Sequence, residues 1–423
     1  MQKEKPRTSF RRILFIMALV ISGETIFLLP FVLIRIFRPT FLDVFGLTNF
    51  ELGSAFSVYG IVAMVSYFAG GPLADRFSTR KLMSIALVAT ALGGIVYATI
   101  PSLKVLTVLY GFWGVTTILV FWAPMLRATR VWGGVNDQGK AYGILDGGRG
   151  LLAALIASIS VAIFAALLPE DVNSASLEQR TAALRQVLLI FSGLAVVVAV
   201  LVWFAIPDAG MGQEKDDKPG ATLAGVRKVL RMPAVWLQAM IVICAYIGYK
   251  STDDFSLFAR DAFGYDEVAA ANMGTISFWV RPFAALIAGF LGDRIASSRV
   301  IIIGFIILIC GSLFIALGFL QPGLHWMLIT TLIFTCLGIY GLRGVYFAVF
   351  EEAKVPLAVT GSAIGLVSVA GYTPDIFWGP VMGFLIDRSP GALGHQHVFA
   401  MVAVFGFVGL AAAIAFRWVV RRK

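Results

Sequence analysis

Charge is scarce in this chain. Only 14% of its 423 residues are Asp, Glu, Lys or Arg, whereas 59% are hydrophobic and the mean hydropathy is +0.87. That balance excludes an ordinary soluble globular domain. Ten-residue segments of alternating apolar and polar character are also missing, which excludes the pattern of an outer-membrane barrel. Cysteine is confined to Cys244, Cys310 and Cys336, each inside an apolar run. No disulfide framework and no Cys/His metal spacing can be assembled from them, so neither a metal nor another cofactor is expected. No nucleophile–base constellation or phosphate-cradling loop is visible, which argues against an enzyme.

What the chain does have is apolar length. A spanning helix needs roughly 20 residues, and about twelve such stretches occur, near 13–37, 50–72, 81–100, 104–126, 140–167, 185–206, 234–257, 268–290, 299–320, 326–350, 358–386 and 397–420. The expected fold is an all-α membrane protein with twelve transmembrane helices in two pseudo-symmetric six-helix halves. Residues 1–206 and 234–423 would be the halves. The longest polar break, from Pro207 to Pro233, contains Gln213 to Gly220 and reads as a cytoplasmic linker.

The net charge of +10 would suggest nucleic acid in a soluble protein, but its placement argues otherwise. Basic residues gather on alternate loops: Lys3, Lys5, Arg7, Arg11 and Arg12; Arg76, Arg80 and Lys81; Arg127, Arg130 and Lys140; Lys215, Lys218, Arg227, Lys228 and Arg231; Arg294 and Arg299; Lys354; and Arg421, Arg422 and Lys423. The intervening loops are sparse. This positive-inside asymmetry puts both termini in the cytoplasm. The first apolar run is too long for a signal peptide and is expected to be an uncleaved helix.

A short stretch occurs twice. Gly71-Pro72-Leu73-Ala74-Asp75-Arg76 and Gly289-Phe290-Leu291-Gly292-Asp293-Arg294 are separated by 218 residues, and so are Phe45 and Phe263, each the start of a Phe-Gly pair. Two copies in register indicate a duplicated unit. In such a turn the glycine would let two helices approach, the aspartate could accept from a helix amino end or an arginine, and the basic residues could anchor to anionic lipid. The turn is then either an ordinary lipid-anchored connection or a conformational latch formed by Gly71, Asp75, Arg76, Arg80, Gly289, Asp293 and Arg294.

Two six-helix halves, a basic central loop and this repeated turn resemble the major facilitator superfamily over essentially the whole chain. The family's pattern, Gly-x-Leu-x-Asp-Arg-x-Gly-Arg-Lys, is matched at Gly71, Leu73, Asp75, Arg76, Arg80 and Lys81. It departs at Ser78, where the family usually has glycine, and at Thr79. The second copy ends in Ser297-Ser298-Arg299. The resemblance implies a carrier whose halves rock about a midplane site, with helix 1 lining the cavity.

Ionisable residues inside spans cost at least about 2.5 kcal/mol on insertion scales, so each is a candidate for a pathway or coupling role. Glu24 lies near the middle of helix 1, with Pro30 one to two turns later. It is either a proton carrier or a structural carboxylate paired with an arginine from another helix. In helix 5, Asp146 and Arg149 sit three apart within the glycine-rich Gly143 to Gly150. Arg149 could hold an anion or pair with Asp146. Arg281 precedes Pro282 in helix 8, and Arg343 lies in the inner half of helix 10, where it is an anion contact or a snorkelling anchor. Asp375 lies between Pro374 and Pro380 in helix 11. Lys250 can meet Asp253 and Asp254 at the end of helix 7. Tyr249, Trp279 and Trp378 are further candidates for a substrate cavity, against the plainer reading of packing or interfacial aromatics.

The segments Phe121 to Arg127, Gly143 to Gly150 and Gly371 to Pro380 are similar to a bacterial facilitator subgroup near the organic-anion and sugar-phosphate carriers. Those carriers typically have a basic residue in the helix 1 cavity wall, where this chain has Glu24, with only Arg35 near the outer end. Helix 5 also lacks the Gly-Pro pair of the family's antiporters. The expected function is therefore a proton-coupled secondary transporter of the inner membrane for a small, anionic organic solute. Glu24 and Asp375 would be proton sites, and Arg149, Arg281, Arg343, Lys250, Tyr249, Trp279 and Trp378 substrate contacts. Its partners would be the solute, protons and membrane lipid, with no nucleic acid, and it would act as a monomer. The alternatives are proton-driven efflux of lipophilic cations and a non-transporting sensor on a carrier fold.

Overall fold

The long apolar runs fold as helices in the computed structural model, which describes residues 7–134, 137–207, 229–353 and 357–421. The polar part of the expected linker, 208–228, lies outside the described residues, as do Lys3, Lys5, Lys354, Arg422 and Lys423. The spans are α1 (Phe10–Ile36), α2 (Asn49–Arg76), α3 (Thr79–Ala98), α4 (Leu103–Gly133), α5 (Lys140–Leu167) and α6 (Leu177–Ala205). They continue with α7 (Pro233–Phe263), α8 (Glu267–Ile295), α9 (Ser297–Ala316) and α10 (His325–Val345). The eleventh apolar run, α11, is built as two consecutive helices of 15 residues each, Leu357–Gly371 and Pro374–Arg388, and so is not one of the eleven continuous spans among the described residues, the last of which is α12, Ala392–Arg421. Among the described residues there is no strand, and the fold is the expected all-α membrane architecture.

Proline removes an N–H and crowds the carbonyl four residues back. Around Pro30 the helix accordingly widens into a π segment, Leu28–Val32, in which the N–H groups of Phe31 and Val32 both reach the Phe27 carbonyl. Tyr110 donates its hydroxyl hydrogen to the Pro30 carbonyl at 3.2 Å, so the irregular backbone is satisfied from α4. A second π segment, Val115–Trp122, precedes Pro124 in α4.

Several boundaries differ from the expected ones. Helix α6 starts at Leu177 rather than near 185, because Ser176 and Gln179 form a reciprocal capping box. A short helix, Arg38–Phe45, fills the first connection.

The repeated turn is built differently in its two copies. Ser78 has φ −59° and caps α3, whereas its equivalent 218 residues later, Ala296, has φ +84°. An L side chain at positive φ costs about 1–2 kcal/mol relative to glycine. Ala296→Gly is therefore expected to raise the thermal unfolding midpoint, by about 1 kcal/mol of stability, whereas Ser78→Gly, which deletes a cap, lowers it. Both are measurable by unfolding in detergent.

The described chain divides into two units. The first contains Met1–Ile34, Thr40–Leu47 and Ile61–Lys215; the second contains Arg35–Pro39, Thr48–Gly60 and Asp216–Lys423. Thus the end of α1 and the first half of α2 are built into the second unit. Within the first, α1 packs on α5 and α6, and α3 on α6; within the second, α7 packs on α11 and α12, and α9 on α12. The same pairing scheme recurs, as duplication requires.

Candidate functional site

The second unit gathers ionisable and aromatic side chains from α1, α7, α8, α10 and α11. Arg35, at the end of α1, donates from Nε to Asp253 Oδ1 at 2.5 Å. Lys250 Nζ lies 3.3 Å from Asp253 Oδ2 and 3.6 Å from Asp375 Oδ1. Tyr246 donates its hydroxyl hydrogen to Asp375 Oδ2 at 3.0 Å. The sequence Arg35, Asp253, Lys250, Asp375, Tyr246 is thus a continuous chain of alternating charge ending on a phenol. Arg35, Lys250 and Asp253 are all buried, where ions persist only if they are paired.

Tyr249 sits at the centre of this cluster. Two guanidinium carbons approach its ring, Arg343 at 3.7 Å and Arg35 at 4.6 Å, as cations do over an aromatic face. Tyr340 packs edge-on against it at 6.1 Å, while the Tyr246 ring lies between those of Tyr249 and Tyr372. Arg281 lies within electrostatic reach of Tyr249 and Tyr340. Among the described residues, Arg343 Nη1 and the Tyr340 hydroxyl are buried without a hydrogen-bond partner. Of these residues four are cations, Arg35, Lys250, Arg281 and Arg343, and two are carboxylates, both of which are already engaged by Lys250. The cluster can therefore accept an anion that also offers hydrogen-bond acceptors.

Close backbone approach fixes the α11 wall of the site. A Cβ placed on Gly53 would collide with the Gly379 carbonyl, and one on Gly60 would lie 2.7 Å from the backbone of Asp375. Only glycine on α2 permits that crossing. Ser57 donates its hydroxyl hydrogen to the Ile376 carbonyl. At the far end the Asp387 carboxylate accepts from the N–H groups of Asn49 and Phe50, at 3.1 and 2.8 Å, and so caps the amino end of α2.

In the first unit Glu24 is buried and faces Arg149, with Oε2 3.4 Å from Nε. Arg149 also lies 3.8 Å from the exposed Asp146 and near the rings of Phe27 and Trp122. A Cβ on Gly148 would lie 2.8 Å from Val20, so that glycine admits α1. Gly143 and Gly147 face open space. This interhelical ion pair is the structural arrangement that the sequence leaves open for Glu24 beside proton carriage.

The structure thus brings together Tyr249, Lys250, Arg281, Arg343 and Asp375, and separately Glu24 with Arg149. Trp279 lies on the exposed stripe of α8 with Phe283, Leu286 and Phe290. Trp378 is fully buried and packs edge-on against Phe405 of α12. Sequence reasoning places Arg35 merely at an outer helix end and Asp253 merely beside Lys250, and so misses both as site residues. A signal was available, because the two positions are 218 residues apart and equivalent in the duplication.

At the repeated turn, Gly71 and Gly289 have nothing among the described residues within 4 Å of where a Cβ would stand, so no described helix makes the expected close approach at these two glycines. Asp75, Arg76, Asp293 and Arg294 are exposed. The contacts lie beside them: Arg127 donates to the Ala74 carbonyl, Arg80 lies 5.0 Å from the Trp203 ring, and Glu352 accepts from the Ser298 N–H at 2.9 Å.

Residues 13–379 match the sequence model of the Major Facilitator Superfamily. Two relatives from Escherichia coli K12 match nearly end to end. Inner membrane protein YqcE is 28% identical over 98% of this chain and 96% of its own length, and inner membrane protein YihN is 26% identical over 94% and 93%. In fold, the chain is similar to the crystal structure of a bacterial homologue of the human lysosomal transporter Spinster, with a TM-score of 0.72 at 15% identity over 98% of both chains.

Proposed function

This chain belongs to the major facilitator superfamily, and on that premise we propose that it is a secondary transporter for a small organic anion, working by alternating access. The observation that carries the reading is Arg343: a guanidinium set against Tyr249, with Nη1 buried and unpartnered, in a cluster whose carboxylates are already engaged by Lys250. A buried donor without an acceptor costs about 1–3 kcal/mol, and a carboxylate, sulfonate or phosphate would supply the acceptor. Lipophilic-cation efflux fits this surplus of positive charge poorly. The relatives named as inner membrane proteins support placement in the inner membrane, and the loop charges support cytoplasmic termini. Carriage of a solute in proteoliposomes tests the reading: organic acids would accumulate under an imposed gradient, while a sensor would bind and show no flux.

Proton coupling is part of the proposal, with Asp375 and Glu24 as its sites. Asp375 shares Lys250 with Asp253, so protonating it would remove one of the two carboxylate charges that Lys250 balances and leave more of its charge for the anion. Glu24→Gln leaves Arg149 without its buried counter-charge and is expected to lower the unfolding midpoint. Uptake should also lose its dependence on the pH gradient. Unchanged proton-driven accumulation by the Gln variant would reduce Glu24 to a structural partner of Arg149.

A further inference from the structure

A second buried cluster, unused by the anion reading, joins the end of α7 to the start of α12. His395 has no exposed surface. Its Nδ1 lies 2.8 Å from Asp254 Oδ2 and its Nε2 lies 3.3 Å from Asp261 Oδ2. The Phe258 ring packs 5.2 Å away. Asp254 is also fully buried, and its other oxygen, Oδ1, has no hydrogen-bond partner among the described residues. Asp261 accepts from Arg260 Nε at 3.0 Å. The charged groups facing the ring are Asp254 and Asp261, with Arg260 behind the second.

A neutral imidazole has one N–H and one lone pair, and an ionised carboxylate only accepts. With a neutral ring, one nitrogen lone pair would point at a carboxylate oxygen beside a fully buried ring, a repulsive contact. With an imidazolium, both nitrogens donate and both contacts become charge-assisted hydrogen bonds. The heavy-atom geometry is thus satisfied by one proton more than a neutral histidine beside two ionised carboxylates.

We infer that His395, Asp254 and Asp261 form a proton-binding site, which ties the start of α12 to the end of α7 by two charge-assisted hydrogen bonds while the ring carries both protons. Release of one proton leaves a neutral ring, removes one of the two bonds and turns it into a repulsion, which loosens the docking. In the proposed orientation this cluster lies at the outer end of α7, where it would be filled from outside. The identity of the carried solute does not enter, nor do the roles of Glu24 and Asp375.

The test uses the full-length chain in lipid nanodiscs. His325 and His397 are exposed, and they are the other two of three histidines. The double variant His325→Gln/His397→Gln thus leaves the His395 ring as a single signal without touching the cluster. Ring nitrogen-15 NMR is recorded at about pH 7.5, roughly one unit above the ordinary histidine value of about 6.5, where an ordinary ring is about 10% imidazolium. The expected result is a ring with both nitrogens protonated. In the same background, Asp254→Asn supplies an amide donor to Nδ1 and is expected to convert the ring to the neutral form. A neutral ring in the double variant overturns the inference, and so does an imidazolium unaffected by Asp254→Asn.

Discussion

Replacing Arg343 with glutamine should weaken binding of the best-stabilising organic acid by about ten- to a hundredfold, the equivalent of one hydrogen bond to a charged group. Arg343 brings charge to Tyr249 and has a buried Nη1 with nothing to donate to. Its removal takes away an interaction with the ligand without breaking an ion pair. The folded state should lose no more than the cation–π contact with Tyr249, about 0.5–2 kcal/mol. Isothermal titration of the purified variant measures the first effect and thermal unfolding the second. An affinity within a factor of about two of the parent would remove Arg343 from the binding site.

The opposite pattern is expected for Asp253. This carboxylate lies between Arg35 and Lys250, all three buried. Asp253→Asn would leave two cations facing each other with only Asp375 nearby, and breaking a buried pair by removing one partner costs about 3–5 kcal/mol. The unfolding midpoint should fall sharply whether or not ligand is present. Adding Arg35→Gln should restore part of the loss, since the second change removes the charge that the first left unpaired. If the single variant unfolds at the parent temperature, the Arg35–Asp253 contact is not part of the folded protein's stability.

How much of this could be read beforehand depends on the type of interaction. The fold was legible because it rests on run length, loop charge and a 218-residue repeat, all local or periodic properties of the sequence. Even the salt bridge between Arg35 and Asp253 carried a trace, since opposite charges occupy equivalent positions of the two repeats. The Glu24–Arg149 pair was legible as one of two alternatives, because a buried carboxylate needs a partner but the sequence does not say which arginine can reach it. Asp387 was invisible: its carboxylate caps α2 across more than three hundred residues, and nothing local marks it as a cap. The same holds for His395, whose partners are 141 and 134 residues away. Gly71 and Gly289 carried a signal of a different kind. Their motif marks duplication, but the packing contacts are made by Ala74, Arg80 and Ser298 beside them.

The central claim is that the arginine–tyrosine cluster of the second unit receives an anion. A ligand that binds only the folded state raises its unfolding temperature, by about 2.7 kcal/mol of stability at a hundredfold excess over Kd. Thermal unfolding of the purified parent protein against small carboxylates, sulfonates, phosphates and lipophilic cations therefore tests the claim directly. The predicted result is stabilisation by one class of organic anion, and loss of that stabilisation in Arg343→Gln. Stabilisation by cations alone would contradict it.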